Sequence, residues 1–186
     1  QDGHTTLIFD REGSSANIFD FDTLNELLDT LTQIENDNSI NSLQLRSNKP
    51  NIFIAGADIH ALMASTLGEL AAMIDLGHEA FQKLEDLRIP TIATIHGACL
   101  GGGYELALAC DDILLVDDGS SAVSLPEVPL LAVLPGTGGL TRLVDKRKVR
   151  RDRADIFCTT SEGIRGKRAV DWNLIDAIAP RSKFTE

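Results

Sequence analysis

The segment IHGACLGGGYELALACD, residues 95–111, is the most informative part of this 186-residue chain for predicting its fold. It begins at the end of a β-branched run, Thr91–Ile95, which is typical of a strand. Four glycines then lead into Tyr104–Cys110, an apolar stretch of good helix formers, and a further strand-like run follows at Ile113–Val116. Strand, helix and strand in this order predict a parallel βαβ unit, which places the chain in the α/β class.

The rest of the chain continues this alternation of strands and helices. Before the central unit, hydrophobic periodicity predicts a strand at Thr5–Phe9, a helix at Phe21–Ile34, strands at Ser42–Arg46 and Asn51–Ile54, a short helix through Ala61 and Met63, and a long helix at Leu67–Leu87. After it, two helices are predicted near Val149–Phe157 and Glu162–Trp172. The length suits one domain over residues 1–186 with a single core.

The composition is ordinary for a folded soluble protein, with 43% hydrophobic and 24% charged residues. No apolar stretch reaches the roughly 18–20 residues of a membrane span, and no secretory leader pattern opens the chain. Three cysteines without CxxC spacing indicate reduced thiols in a cytoplasmic protein, and the four histidines form no metal-binding motif. We therefore expect no metal and no membrane association.

The charge is divided unevenly along the chain. Residues 1–145 hold 6 Lys and Arg against 22 Asp and Glu, whereas residues 146–186 hold 11 against 6. The acidic body argues against nucleic-acid binding, which needs a basic face. The basic residues are densest at Lys146, Arg147, Lys148, Arg150, Arg151 and Arg153. This cluster is interpreted either as a solvated surface or as a contact for an anionic ligand or partner.

Two small-residue segments follow predicted strands. In Ile54–Ile59, the run Ala55-Gly56-Ala57 leaves backbone N–H groups open to a ligand, or it forms a tight turn packed under a helix. Gly101–Gly103 opens a helix, where free N–H groups and the helix dipole favour a developing oxyanion. Close helix packing is the alternative explanation of this triplet.

Two carboxylates stand in apolar surroundings. Glu105 lies in the first turn of the apolar helix, and Glu127 lies between Pro126 and Pro129. A carboxylate held in such surroundings has a raised pKa and can exchange protons near neutral pH. The alternatives are a helix N-terminal charge for Glu105 and a loop ion pair for Glu127. Two backbone donors with two carboxylates are the groups needed to stabilise a thioester enolate and to move protons beside it.

Residues 51–62 (NIFIAGADIHAL) and 95–111 resemble two signature segments of the crotonase, or enoyl-CoA hydratase/isomerase, superfamily, and residues 125–139 (LPEVPLLAVLPGTGG) resemble a third. Residues 1–111 look most like the hydratase/isomerase part of multifunctional fatty-acid β-oxidation proteins. From Ile113 to Pro180 the chain looks more like benzoyl-CoA-dihydrodiol lyase. The resemblance implies a ββα superhelix that binds an acyl-CoA thioester.

The same resemblance implies the roles of individual residues. The oxyanion hole would consist of the N–H groups of Ala57 and Gly102, with Glu105 and Glu127 as the catalytic carboxylates. Further contacts to substrate or CoA are implied for Ala55, Gly56, Asp58, Ile59, His60, Gly101 and Gly103.

The expected activity is enoyl-CoA hydration or isomerisation without a separate cofactor, since coenzyme A arrives as part of the substrate. Ring cleavage of a dihydrodiol-type thioester and a catalytically incomplete acyl-CoA-binding scaffold are the alternatives. The family suggests homotrimers or hexamers built from two of them.

The chain departs from the family pattern in three places. His60 stands where the family commonly has Lys. One extra residue in Val128–Leu134 predicts a displaced Glu127, and a shift of about 1 Å can lower a rate about 100-fold. Family members also continue past residue 186, so we expect the C-terminal helical segment to be missing.

Overall fold

A computed structural model describes residues 3–184 except the side chain of His60. The strands are β1 (His4–Phe9), β2 (Ser42–Ser47), β3 (Ile52–Ile54), β4 (Thr91–Ile95), β5 (Ala98–Leu100), β6 (Asp112–Val116), β7 (Ala122–Ser124) and β8 (Ala177–Ala179). The helices are α1 (Phe21–Asn36), α2 (Ile59–Ala64), α3 (Leu67–Glu85), α4 (Gly102–Ala109), α5 (Glu127–Leu131), α6 (Gly139–Thr141), α7 (Arg151–Cys158) and α8 (Gly166–Asp171). A π-helical turn covers Arg142–Lys146, and a 3₁₀ turn covers Arg181–Lys183.

The strands form two sheets in which every pairing is parallel. The larger sheet has the order β1-β2-β4-β6-β8, and the smaller has the order β3-β5-β7. Three successive units each add one strand to the larger sheet, then one to the smaller, and then a helix: β2-β3-α2, β4-β5-α4 and β6-β7-α5. This repetition is the expected ββα superhelix, so the α/β prediction is confirmed.

Helix α4 occupies the centre of the molecule. Seven of its eight residues, from Gly103 to Ala109, are buried, which explains why its sequence is apolar on every side. A Cβ on Gly103 would lie 2.6 Å from the carbonyl oxygen of Ile54, so the helix backbone packs directly against β3. The packing explanation of the glycine triplet is therefore correct for Gly103.

Most predicted elements lie where periodicity placed them, and one helix boundary needs correction. The short strands β5, β7 and β8 have no counterpart among the predictions, because three residues are too few to establish alternation. The last predicted helix begins at Gly166 rather than Glu162, since Ile164 instead forms an antiparallel bridge with Val123.

Helix α3 changes its surroundings along its length. At its C-terminal half, Gly77, Ala80, Phe81 and Leu84 are buried in the core. Nearer the N-terminus, Leu70, Met73 and Ile74 line a cavity, which Gly77 and Phe81 also border. The apolar face of α3 therefore contributes to both the core and the cavity.

Candidate active site

An apolar cavity of about 370 Å³ lies between α3, the start of α2 and the segment that follows α5. Its wall contains aromatic and aliphatic side chains, including Phe19, Leu24, Met73, Phe81 and Val133. The predicted oxyanion donors Ala57 and Gly102 also line it. A ligand group in this cavity would therefore meet two backbone amides within a hydrocarbon wall.

The backbone around Ala57 is directed by Phe19. The Phe19 N–H donates to the Gly56 carbonyl at 2.8 Å, and the Asp58 N–H donates to the Phe19 carbonyl at 3.0 Å. In a parallel bridge of this kind, the N–H of the middle residue points away from the partner strand. The Ala57 N–H is thus directed away from Phe19.

Gly102 is the first residue of α4, so its N–H has no acceptor within the helix. Its nitrogen lies 3.5 Å from where a Cβ on Gly56 would be, which brings the two small-residue segments together. The backbone of Gly56, at φ 93°, and of Gly101, at φ 50°, adopts conformations that favour glycine. The structure therefore places both predicted donors at one cavity wall.

The Glu105 carboxylate is buried and accepts three hydrogen bonds. Oε1 accepts from the backbone N–H of Thr137 at 3.0 Å and from that of Gly139 at 2.8 Å, and Oε2 accepts from the Thr137 hydroxyl at 2.6 Å. These donors lie more than thirty residues away in the chain, so α4 and the 137–139 turn meet through this carboxylate. Glu105 is thus firmly oriented.

Glu127 is half-buried at the start of α5. Burial, with a further contribution from the negative charge of Glu105, raises the pKa of Glu127 to about 7, against the opposing effect of its own backbone N–H. Oε1 lies 2.7 Å from where a Cβ on Gly101 would be. Within residues 3–184, Oε2 of Glu127 and Oγ of Ser124 are the buried side-chain polar atoms without a hydrogen-bond partner. The predicted proton exchange near neutral pH therefore has a physical basis at Glu127.

The two carboxylates lie behind the cavity wall, which contains Gly102 and Thr137 but neither glutamate. Neither glutamate forms an ion pair within the described residues, so the ion-pair explanation of Glu127 finds no support there. Whether the extra residue after Glu127 displaces it stays a prediction.

Four residues of this site were missed by sequence reasoning: Gly77, Thr137, Gly139 and Arg142. Thr137 and Gly139 bind Glu105, and the Arg142 guanidinium donates to the Thr137 carbonyl at 3.0 Å. Thr137 and Gly139 lie in the PGTGG run, residues 135–139, where the resemblance to the family was the available signal, whereas no local pattern indicated a role in the site for Gly77 or Arg142.

The remaining predicted contact residues are divided between the cavity and its surroundings. Ile59 lines the cavity, whereas Ala55 donates its N–H to the Asn17 carbonyl at 2.8 Å. Asp58 accepts from the Ala61 N–H at 3.1 Å and begins α2 in this way. The predicted role of the His60 side chain lies outside the described residues.

Half of the basic cluster after residue 145 is ion-paired within the molecule. Three of its six members form ion pairs at 2.7–3.0 Å: Lys146 with Glu85, Arg147 with Asp176, and Arg150 with Asp152. Arg153 and Arg168 flank the Trp172 ring at 5.6 and 4.6 Å. These contacts favour the surface interpretation of the cluster over an anion site.

Cys99, Cys110 and Cys158 are buried and unpaired. Burial raises the pKa of Cys110 and of Cys158 to about 12, so both thiols are unreactive at neutral pH. The residues from 3 to 184 contain no cluster of three metal-ligating side chains. In the same part of the chain, no helix is long and apolar enough to cross a membrane.

Comparison with known proteins identifies the family. The profile of the enoyl-CoA hydratase/isomerase family matches residues 8–186, so the chain belongs to this family. Its structure superposes on the enoyl-CoA hydratase of Geobacillus kaustophilus HTA426 with a TM-score of 0.92 at 29% identity, covering 100% of this chain and 68% of the other. The enoyl-CoA hydratase of Bacillus anthracis gives 0.89 at 29% identity, covering 98% and 69%.

Two kinds of relative are similar in sequence. The benzoyl-CoA-dihydrodiol lyase of Aromatoleum evansii is 46% identical over 97% of this chain, which spans 35% of the relative's length. The fatty acid oxidation complex subunit alpha of Shewanella sp. (strain ANA-3) is 41% identical over 98% of this chain, which spans 25% of that relative. Both alignments cover nearly the whole chain, and both relatives are much longer than it.

Proposed function

We propose that this chain stabilises the enolate of an acyl-CoA thioester and catalyses enoyl-CoA hydration or isomerisation. The observation that carries the proposal is the combination of two backbone amides at the wall of an apolar cavity with a nearby carboxylate of pKa about 7. Amides that donate to a developing oxyanion stabilise it most in a dry site. A carboxylate with a pKa near the working pH is suited to proton transfer.

In the proposed hydration, Ala57 and Gly102 donate to the thioester oxygen. Water adds to the β carbon and gives its proton to Glu105, while the double-bond electrons move to the thioester oxygen. The enolate then takes a proton at the α carbon from protonated Glu127. Solvent returns the proton from Glu105 to Glu127. In isomerisation, ionised Glu127 removes a proton and returns it at another carbon.

The cavity wall favours a hydrocarbon acyl group. Apart from the backbone amides, Thr137 is the polar residue among side chains that are otherwise aliphatic or aromatic. A substrate with several hydroxyl groups would leave some of them without partners there, at a cost of about 1–3 kcal/mol each. This argues for an enoyl thioester over a dihydrodiol.

Ring cleavage of a dihydrodiol-type benzoyl-CoA is the second candidate. The higher identity to the Aromatoleum evansii lyase, 46% against 41%, favours it. The proposed enolate stabilisation is common to both reactions, so the substrate decides between them.

The test follows the loss of enoyl-thioester absorbance of crotonyl-CoA in the wild type, in Glu127→Gln and in the exposed control Glu79→Gln. We expect turnover in the wild type and the control, and turnover lowered at least about 100-fold in Glu127→Gln. An inert wild type would contradict hydration. The same protein is then assayed with a dihydrodiol of benzoyl-CoA, and turnover of that substrate would indicate ring cleavage. A thermal shift with acyl-CoA but no turnover of either substrate would indicate binding alone.

We further propose a cytoplasmic homo-oligomer that needs no cofactor besides the CoA of its substrate. Several large apolar side chains of the cavity lining are exposed, among them Met63, Val133 and Leu134, and a contiguous exposed apolar patch is typical of a surface that another chain covers. Light scattering after size-exclusion chromatography measures the assembly: a trimer or hexamer supports the proposal, and a monomer contradicts it.

A further inference from the structure

Thr137 touches both the acyl cavity and Glu105. It lines the cavity, and its hydroxyl and backbone N–H both donate to the Glu105 carboxylate, at 2.6 and 3.0 Å. The methyl group points the other way, towards α3, where a Cβ on Gly77 would lie 2.7 Å from it. One side chain therefore connects a wall of the cavity with a carboxylate.

The backbone of Thr137 is held in place from a third side. Buried Arg142 donates from Nη1 to the Thr137 carbonyl at 3.0 Å and from Nε to Glu85 at 2.8 Å. Glu85 is the last residue of α3, and Lys146 pairs with it at 2.9 Å. Helix α3 thus determines both the space beside the Thr137 methyl and the anchor of the Thr137 backbone.

The Thr137 side chain has little freedom to yield. Its β-branched Cβ restricts χ1 to a few rotamers. A rotation that moved the methyl away from α3 would also move the hydroxyl away from Glu105. Any rotation that displaces the methyl therefore also breaks the hydrogen bond of the hydroxyl to Glu105.

We propose that Thr137 is a positioning residue through which the wall of the acyl cavity, at Gly77, determines the orientation of the Glu105 carboxylate. The proposal rests on the proposed function in that Glu105 takes the proton from water. An acyl group that fills the cavity without displacing the Thr137 methyl leaves Glu105 in place. A ligand group or a substitution that displaces this methyl rotates the Thr137 hydroxyl away from Oε2 of Glu105 and breaks their hydrogen bond.

The experiment uses substitutions that separate the methyl from the hydroxyl. Thr137→Val removes the hydroxyl at nearly constant shape, and we expect kcat for crotonyl-CoA to fall about 10- to 100-fold with KM within about twofold. Gly77→Ala forces the methyl to move, and we expect a fall in kcat of similar size. The matched control is Gly68→Ala on the same helix, where an added Cβ has nothing within 4 Å.

The decisive variant is the pair Gly77→Ala with Thr137→Ser, compared with Thr137→Ser alone. Serine keeps the hydroxyl and lacks the methyl, so the double variant should recover most of the kcat lost in Gly77→Ala. A structural defect at residue 77 would not be repaired in this way. Lack of recovery, or a Thr137→Val variant with kcat within twofold of wild type, would overturn the proposal.

A measurement independent of turnover keeps the proposal separate from the proposed function. Glutamate labelled with ¹³C at the side-chain carboxyl gives a resonance for Glu105, identified by its absence in Glu105→Gln. We expect this resonance to shift in Thr137→Val and Gly77→Ala, to return towards wild type in the double variant, and to stay in Gly68→Ala. An inert wild type would contradict the proposed function alone, whereas an unmoved resonance in Thr137→Val would contradict the positioning role.

Discussion

Glu105 and Glu127 are neighbouring carboxylates with opposite surroundings. Glu105 is buried in α4 and receives three donors from the 137–139 turn. Glu127 is desolvated, lies beside the charge of Glu105, and keeps Oε2 without a partner in the described chain. Donors hold a carboxylate in one orientation, whereas desolvation without donors favours its protonated form. The first arrangement suits a base held in one orientation towards water, and the second suits a carboxyl that gives up and regains its proton near neutral pH.

The largest expected effect comes from removing the exchangeable proton at Glu127. Glu127→Gln keeps the shape and loses the acid, so turnover of crotonyl-CoA should fall about 100- to 10,000-fold. Steady-state rates at saturating substrate measure this loss. Residual activity within tenfold of wild type would end the assignment of proton exchange to Glu127.

The next effect concerns the donors of Glu105. A Cβ on Gly139 would lie 2.6 Å from Cγ of Glu105, so Gly139→Ala must displace one of the two. Alanine is otherwise the better helix former. We expect the cost of overpacking to exceed the gain in helix propensity, so that the free energy of unfolding, measured in urea, falls by about 1–3 kcal/mol. With Gly68→Ala as the control, an unchanged urea midpoint would show that the turn yields easily.

The pH dependence of the rate distinguishes the two roles proposed for Glu127. Hydration needs the protonated carboxyl, whose pKa is about 7. Above that pH, kcat/KM for crotonyl-CoA should fall about tenfold per pH unit. Isomerisation needs the ionised form, so its rate should instead rise through the same region. Identical profiles for the two reactions would contradict the division of roles.

The smallest effect is on stability. A carboxyl whose pKa is raised in the folded state stabilises the fold below its unfolded pKa, and this stabilisation is lost as the pH rises through the folded pKa of about 7. Relative to wild type, Glu127→Gln should therefore gain about 1 kcal/mol between pH 4.5 and pH 8, because a half-buried group keeps part of its hydration. Urea titrations of both proteins at the two pH values measure the gain. A constant difference would show that Glu127 is not desolvated in solution.

Local pattern predicted much of the fold. The β-branched run at Thr91–Ile95 forms strand β4 over its whole length. The residues from Phe21 onwards, with their helical spacing of apolar side chains, form α1. This strand and this helix reflect the local pattern of apolar residues over a few positions, and hydrophobic periodicity detects that pattern. The three-residue strands β5 and β7 were not predicted from the sequence, because they are stabilised by pairing with each other and with β3.

Local sequence patterns were sufficient to predict the α/β class, the order of the small-residue segments and the two candidate carboxylates. The difference between those carboxylates arises from tertiary contacts. The donors of Glu105 come from Thr137 and Gly139, more than thirty residues away, and the pKa of Glu127 depends on burial by distant segments. Hydrogen bonding and desolvation act through space, so neighbours along the chain do not specify them.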